Sequence, residues 1–397
     1  MIELANRLNR IVESNTLRMA KLSRELAAQG KDVINLSLGE PDFFTPQHVK
    51  EAAKKAIDDN YSFYTPVVGF LDLRQAISAK FKNDNGLDYA ADQIVVSTGA
   101  KQSIINVLLS LLNTGDEVII PTPFWVSYSE MVKLSEGIPV YVKSTVEQDY
   151  KPSAKQIEAA ITSKTKAFIF SSPCNPSGSV FSKDELFAIA KVFENHPKII
   201  IISDEIYEHI NFIGKHESIG QFDFIKDRVV TINGMSKSFA MTGWRLGYIG
   251  APREIAQACD KLQGQFTSGA NAVTQRAALA ALTSDMKATR DMSLAYKRRR
   301  DLVLQLMREI PGFIINEPGG AFYVFPDISF YFGKSDGEKT IENCEDFCMY
   351  ILNNAMVSLV GGDSFGAPEC IRLSYATSDE KLIEAMTRIK NILLKLK

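Results

Sequence analysis

The chain has 397 residues, longer than a usual single domain, with 45% hydrophobic and 23% charged side chains. These are the proportions of a globular protein with an ample core, not of a disordered, collagenous or low-complexity chain. Forty-five basic against 47 acidic residues leave a net charge of −2, which gives no electrostatic footprint for nucleic acid or an anionic membrane.

The first 21 residues carry charges throughout and no apolar h-region, and no apolar run approaches the ~20 residues of a bilayer span. A cytoplasmic protein is expected. The five cysteines form no C-x-x-C pair and the four histidines no ligand spacing, so free thiols and no metal are expected.

In chain order, a helix is expected over residues 16–30. Short Val/Ile-rich runs follow at 94–97, 117–120, 140–142, 167–170, 199–202, 229–232 and 246–249. Apolar runs without polar alternation suit strands buried on both faces, hence a sheet covered by helices on each side. Between them lie segments with apolar residues recurring at three and four, at 101–112, 153–160 and 183–193, which read as helices. The polar, Gly-containing stretch 331–344 reads as an exposed loop. After it come a helix over 345–354, an apolar stretch at 357–360, an alternating strand at 370–375 and a final helix over 378–396. The fold class expected is α/β, with a large domain at 45–295 and a smaller, discontinuous α+β domain at 1–44 and 296–397.

The chemistry lies at the carboxyl ends of the buried runs. There stand Thr98-Gly99-Ala100-Lys101, Pro123-Phe124-Trp125, Ser172-Pro173-Cys174-Asn175-Pro176, Asp204-Glu205-Ile206-Tyr207 and Ser236-Lys237. Ligands of open parallel sheets bind at that edge, so one pocket could collect all five groups. Gly99-Ala100-Lys101, where a strand turns into a helix, has the form of an anion cradle, although a glycine ending a strand is also an ordinary turn. Asp204 could keep a ring nitrogen protonated or could be a helix N-cap. Lys237, set against Phe239-Ala240-Met241, could be desolvated into a neutral amine nucleophile, though most lysines are surface residues.

The run Ser236-Lys237-Ser238-Phe239-Ala240-Met241-Thr242-Gly243-Trp244-Arg245-Leu246-Gly247-Tyr248 is similar to the lysine signature of class I aminotransferases of fold type I, which use pyridoxal 5′-phosphate. Gly39-Glu40-Pro41-Asp42-Phe43, Asn175-Pro176-Ser177-Gly178, Ser203-Asp204-Glu205-Ile206-Tyr207, Gly320-Ala321-Phe322-Tyr323 and Arg372-Leu373-Ser374-Tyr375 follow the family's order. The resemblance runs from about residue 10 to the end and is closest to the bacterial aspartate aminotransferase branch.

It implies a mostly parallel seven-stranded sheet with helices on both faces. Lys237 would form the Schiff base and shuttle a proton between substrate Cα and cofactor C4′. Asp204 would hold the pyridine nitrogen cationic, Asn175 and Tyr207 would bond the phenolic oxygen, and Trp125 would stack on the ring, core packing being the other reading of that indole. Gly99, the amides of Ala100 and Lys101, Ser236, Arg245, and Tyr64 from a second subunit would hold the phosphate, which implies a homodimer with shared sites. Arg372 would grip the substrate carboxylate in bidentate fashion, a surface arginine being the alternative. Gly39, Trp125, Asn175, Lys101 and Phe322 complete the expected substrate set. The chain departs from the commonest family pattern at Cys174, where many relatives have asparagine, and at Gly234, where many place a phosphate-binding Ser or Thr.

An acidic donor needs a second cation, and Lys101 matches the position that supplies one in the aspartate branch. The expected reaction is therefore L-aspartate plus 2-oxoglutarate to oxaloacetate plus L-glutamate. Prephenate-using relatives often carry a basic residue near position 12, where this chain has Val12 and Glu13. Prephenate, aromatic and alanine donors stay open. A noncatalytic cofactor-binding regulator would need an added helix-turn-helix domain, for which the residues before Gly39 are too few. A nicotinamide dehydrogenase would need a G-x-G-x-x-G fingerprint that the sequence lacks.

Overall fold

The computed structural model describes residue 2 and residues 4–397. Helix α1 (Asn15–Ala28) leads into strand β1 (Ile34–Asn35), and α2 (Gln47–Asp58) and α3 (Leu71–Lys80) precede β2 (Ile94–Ser97). Strand and helix then alternate through α4 (Ala100–Leu111), β3 (Glu117–Pro121), α5 (Ser127–Leu134), β4 (Ile138–Val142), α6 (Ala154–Ala159), β5 (Thr165–Ser171), α7 (Lys183–Glu194) and β6 (Ile200–Asp204). Two strands, β7 (Val229–Gly234) and β8 (Gly247–Gly250), close the sheet, and α8 (Arg253–Phe266), α9 (Ala272–Leu282) and α10 (Lys287–Met307) follow. The chain ends with β9 (Tyr323–Val324), α11 (Cys344–Ala355), β10 (Val357–Ser358), β11 (Val360–Gly361), β12 (Ile371–Ser374) and α12 (Asp379–Leu393). No helix among the described residues is long and apolar enough to cross a membrane.

The seven expected runs form one sheet in the order β2-β8-β7-β6-β5-β3-β4. All neighbours are parallel except β8, which is antiparallel to both β2 and β7. Successive residues of a strand face opposite sides, and both sides are apolar here. Ala167 and Ile169 of β5 pack with Ile104, Leu108 and Val132 of α4 and α5, whereas Phe168 and Phe170 pack with Leu186, Ile189 and Phe193 of α7. Helix α7 begins where Ser182 accepts the Glu185 N–H while Glu185 accepts the Ser182 N–H at 2.7 Å, a reciprocal cap.

The reversed direction of β8 matters for the site. Its first residue, Gly247, pairs with the last residues of β2 and β7, Ser97 and Gly234. Residues just before β8 therefore reach the same sheet edge as residues just after β2, β6 and β7.

The C-terminal part builds a three-stranded antiparallel sheet, β11-β12-β9, and a parallel pair, β1 with β10. Their core gathers Met19, Ile34, Val303, Leu304, Phe347, Ile351, Leu382 and Met386 from α1, β1, α10, α11 and α12. The expected loop 331–344 contains an isolated Ser335–Thr340 bridge and ends at α11, capped by Asn343 accepting the Asp346 N–H. The boundary expected at 295/296 falls inside α10, a 21-residue helix. Thr289 at its start donates to the Ser238 carbonyl, while Val303, Leu304 and Met307 near its end enter the C-terminal core. The helix thus spans both regions.

Candidate active site

At the carboxyl edge of the large sheet lies a cavity of about 470 Å³, lined by residues from α1, the strand ends and β12. The structure brings to it Gly39, Ala100, Lys101, Trp125, Asn175, Asp204, Tyr207, Ser236, Lys237, Arg245 and Arg372.

Lys237 sits three residues beyond β7, its Nζ hydrogen-bonded to the Gly39 carbonyl and 5.7 Å from the ring centres of Tyr207 and Phe322. Burial lowers its pKa to about 8; Glu40 opposes that shift, and Arg372 and Arg245 add to it. Asp204, the last residue of β6, is buried, and burial raises its pKa to about 6. Two donors resist that rise: the Tyr128 hydroxyl at 2.6 Å from Oδ2 and the Ile206 N–H at 3.2 Å from Oδ1. The second bond is the local turn expected of a capping aspartate, and the first ties the other oxygen to Tyr128, which lines the same cavity.

Tyr207 shares a hydroxyl–hydroxyl hydrogen bond of 2.7 Å with Tyr323. Arg372 lies on the middle strand of its sheet and is 2% exposed, which removes the surface reading. Its Nη1 donates to Asn175 Oδ1 at 2.9 Å and its Nη2 to the Ser37 carbonyl at 2.6 Å, while Nε is buried with no partner among the described residues. Two aromatic rings lie against the guanidinium, Tyr323 at 4.7 Å and Phe365 at 5.0 Å.

The anion cradle is assembled by close approach. Gly99 has φ +87°, and a Cβ there would stand 2.4 Å from Arg245 Nη2. Helix α4 starts at once with Ala100, so the first amides of the helix face the cavity beside Ser236 and Arg245. Arg245 is held by Nη1 donating to the Thr242 carbonyl at 2.7 Å. Lys101 places Nζ 5.0 Å from the Trp125 ring centre, and burial, followed by repulsion from Arg245, lowers its pKa. The indole itself meets Tyr128 edge-on at 5.5 Å.

Three expected residues do not line this cavity: Gly99, which stands just behind Ala100 against Arg245, Phe322 and Tyr64. Phe322 is buried in the C-terminal core, edge-on to Tyr207, because strand alternation at β9 turns its neighbour Tyr323 toward the cavity instead. Tyr64 is 98% exposed and lies outside its own chain's cavity. Of the departures, Cys174 is buried with its thiol toward the Pro123 carbonyl, and Gly234 has no room for a side chain, a Cβ there meeting Gly247 Cα at 2.9 Å. The sequence reading missed Tyr128, Tyr323, Ser37 and Arg24, all at or behind the cavity wall. Tyr128 carried a faint signal, standing one helical turn after Trp125.

A family model, aminotransferase class I and II, matches residues 31–389. The chain belongs to this family. It is 45% identical over 403 residues to a bifunctional aspartate aminotransferase and glutamate/aspartate-prephenate aminotransferase of Petunia hybrida, covering 100% of this chain and 84% of that protein. It is 44% identical to the aspartate/prephenate aminotransferase of Cereibacter sphaeroides, with 98% of each covered. Among solved structures, the aspartate aminotransferase of Rhizobium meliloti superposes with a TM-score of 0.97 at 39% identity, covering 100% of both chains. That of Thermus thermophilus with maleate gives 0.93 at 38%, covering 99% and 100%.

Aminotransferases of this family work with pyridoxal 5′-phosphate, and the donor set fits that group. Helix amides, a hydroxyl and a guanidinium suit a phosphate, a buried carboxylate suits a protonated ring nitrogen, and a desolvated amine lines the same cavity.

Proposed function

We propose that the protein catalyses pyridoxal-phosphate-dependent transamination, with L-aspartate and 2-oxoglutarate giving oxaloacetate and L-glutamate. The observation that carries this reading is the placement of basic side chains around one cavity: Arg372 against the rings of Tyr323 and Phe365, Lys101 over Trp125 and Lys237 with its amine desolvated. The Thermus thermophilus neighbour was solved with maleate, a four-carbon dicarboxylate, which supports a substrate of that class.

When bound, the cofactor supplies an electron sink for the pair left on the substrate Cα. Lys237 would hold the cofactor through its amine and would carry the proton between the substrate Cα and C4′. Asp204, ionised above about pH 6, keeps the ring nitrogen protonated, and Tyr128 orients that carboxylate. Tyr207 and Asn175 donate to the phenolic oxygen, and Trp125 covers the ring face. Ala100, Lys101, Ser236 and Arg245 hold the phosphate. Arg372 binds the substrate α-carboxylate, for which its unpartnered Nε is a free donor, and Lys101 binds the distal carboxylate.

A homodimer completes the reading. Tyr64 is exposed beside Phe63 and with Phe44 on the outside of the chain, and a second copy over that face would bring Tyr64 to its phosphate. We also assign 45–295 to the large cofactor-binding part and 1–44 with 296–397 to the smaller part. Prephenate is the second reading, supported by the name of the Cereibacter sphaeroides relative. Position 12, however, offers the exposed side chain of Val12 rather than a cation.

A half-reaction panel tests donor choice: purified holoenzyme is mixed with single amino acids and the cofactor absorbance is followed. Aspartate and glutamate are expected to react fastest. Lys101→Ala is expected to raise KM for aspartate by about 1.5–3 kcal/mol, on the order of ten- to a hundredfold, with a much smaller effect on alanine. Equal effects on both donors would remove Lys101 from the distal site.

A further inference from the structure

Behind Asp204, on the side away from the cavity, four ionisable groups are buried together without a part in the chemistry above. Glu205 Oε2 accepts from Ser218 Oγ at 2.6 Å, from Asn85 Nδ2 at 3.0 Å and pairs with His216 Nε2 at 2.9 Å. Its Oε1 accepts from Ser203 Oγ at 3.0 Å. Glu208 pairs with Lys80 and accepts from Asn85 Nδ2 at 2.8 Å, and Lys80 Nζ donates to Asn85 Oδ1 at 2.7 Å. All are buried, and taking such charges out of water is costly.

Glu205, Glu208 and His216 approach one another within 4.8 Å, close enough to ligate a cation. The chain supplies its own: the Lys80 ammonium lies on Glu208, and Glu205 Oε2 already has three partners. Two carboxylates against one ammonium leave a net negative charge unless His216 is protonated. That charge would stand one residue from Asp204, where a like charge disfavours ionisation. We propose that His216, with Lys80, is a positioning residue for the cofactor site: its positive charge neutralises Glu205 so that Asp204 stays ionised and keeps the ring proton on the ring nitrogen.

The inference rests on the function proposed above. Other charged groups face the cluster. Asp84 lies 3.9 Å from Lys80, and His209 Nε2 3.1 Å from Glu208 Oε1. Arg290 of α10 shares with Asp84, Glu208, His209 and His216 the lining of a cavity of about 520 Å³ that opens to solvent and gives protons access. The buried phenols of Tyr89 and Tyr248 feel Glu205 and Glu208 and stay neutral. Burial alone would lower the pKa of His216, but the charge and hydrogen bond of Glu205, with Glu208 behind, outweigh it and raise the value above the ordinary 6.5. Burial opposes the ionisation of Glu208, yet Lys80, His209 and His216 hold its pKa well below the carboxylate range.

The test is the pH profile of pyridoxal phosphate affinity, measured by titrating apoprotein. In the wild type the acidic limb reflects protonation of Asp204. His216→Gln keeps a donor for Glu205 but removes the charge, and should move the midpoint of that limb up by on the order of one pH unit. Glu205→Gln should move it down, and the double variant should return it toward the wild-type position. If His216→Gln does not fold, Glu205→Gln alone decides by the direction of its shift. A lower melting temperature or uniformly weaker affinity with an unmoved midpoint means a merely structural cluster and overturns the proposal. A wild type that does not bind pyridoxal phosphate at all would instead defeat the functional reading on which it rests.

Discussion

Lys237 is surrounded mainly by apolar rings and other cations, so its neutral form is favoured: burial first, then Arg372 and Arg245, against the opposing charges of Glu40 and Asp204, bring it to about 8. An exposed lysine titrates near 10.4, so at pH 8 the site holds roughly a hundredfold more free amine than water would allow. The rate of loading apoprotein with pyridoxal phosphate is therefore expected to rise with pH and level off above about 8. A rate still climbing through pH 10 would mean a solvated amine. Because the folded value lies below the unfolded one, the group penalises the native apoprotein at neutral pH, and the penalty lifts as pH rises from about 8 toward 10.5. Lys237→Ala should remain folded and lose transamination entirely.

At this scale the sequence exposed the residues whose chemistry is unusual at the end of a buried strand, such as Asp204 and Lys237, and the family resemblance pointed to Arg372 within β12. It did not expose Tyr128 or Tyr323, because a phenol announces nothing until the tertiary fold supplies the atom it bonds. Phe322 and Tyr323 differ by one position, and the side of the strand that faces the cavity is set by pairing with β12 rather than by either residue alone.

The elements meet tightly where β8 passes the start of α4. A Cβ on Gly247 would lie 2.2 Å from the Ala100 nitrogen and 2.5 Å from the Gly99 carbonyl carbon. These are backbone atoms that cannot turn aside. The same contact brings the helix amides beside Arg245, which stands two residues before β8. Gly247→Ala is expected to push α4 away from the sheet edge, at a stability cost of about 1–3 kcal/mol, and to weaken pyridoxal phosphate binding by more than it lowers kcat of the loaded enzyme. Thermal unfolding and a cofactor titration measure the two effects, and unchanged affinity would show that the amides do not hold the phosphate.

All seven strands of this sheet were visible as apolar runs, with ends displaced by at most two residues, since a buried strand must be apolar along its whole length. The reversal of β8 was not, although the twelve-residue link from β7 holds no α-helix, the element that usually makes a parallel crossover. The long helix α10 was hidden for a different reason: its apolar stripe of Met292, Tyr296, Val303, Leu304 and Met307, which enters one core, is interrupted by the charged run Lys297-Arg298-Arg299-Arg300-Asp301.

For the molecule as a whole, the chain alone leaves large apolar side chains in water, Phe44, Phe63 and Tyr64 among them, and side chains of this kind are what a second copy would cover in the proposed dimer. In a symmetric dimer each copy would lend Tyr64 to the other's phosphate site, which makes a mixing experiment decisive. Tyr64→Ala damages the site of the neighbouring copy, and Lys237→Ala damages its own. When the two variants are unfolded and refolded together at equal amounts, about half the dimers are mixed, and one of the two sites in each has both Tyr64 and Lys237. Roughly a quarter of all sites should then bind the cofactor with wild-type affinity and turn over normally, although neither variant alone has such sites. Recovery of that fraction is expected by titration and by rate. If the refolded mixture contains mixed dimers, as native mass spectrometry would show, but no restored sites, Tyr64 serves no neighbour and the shared-site arrangement fails.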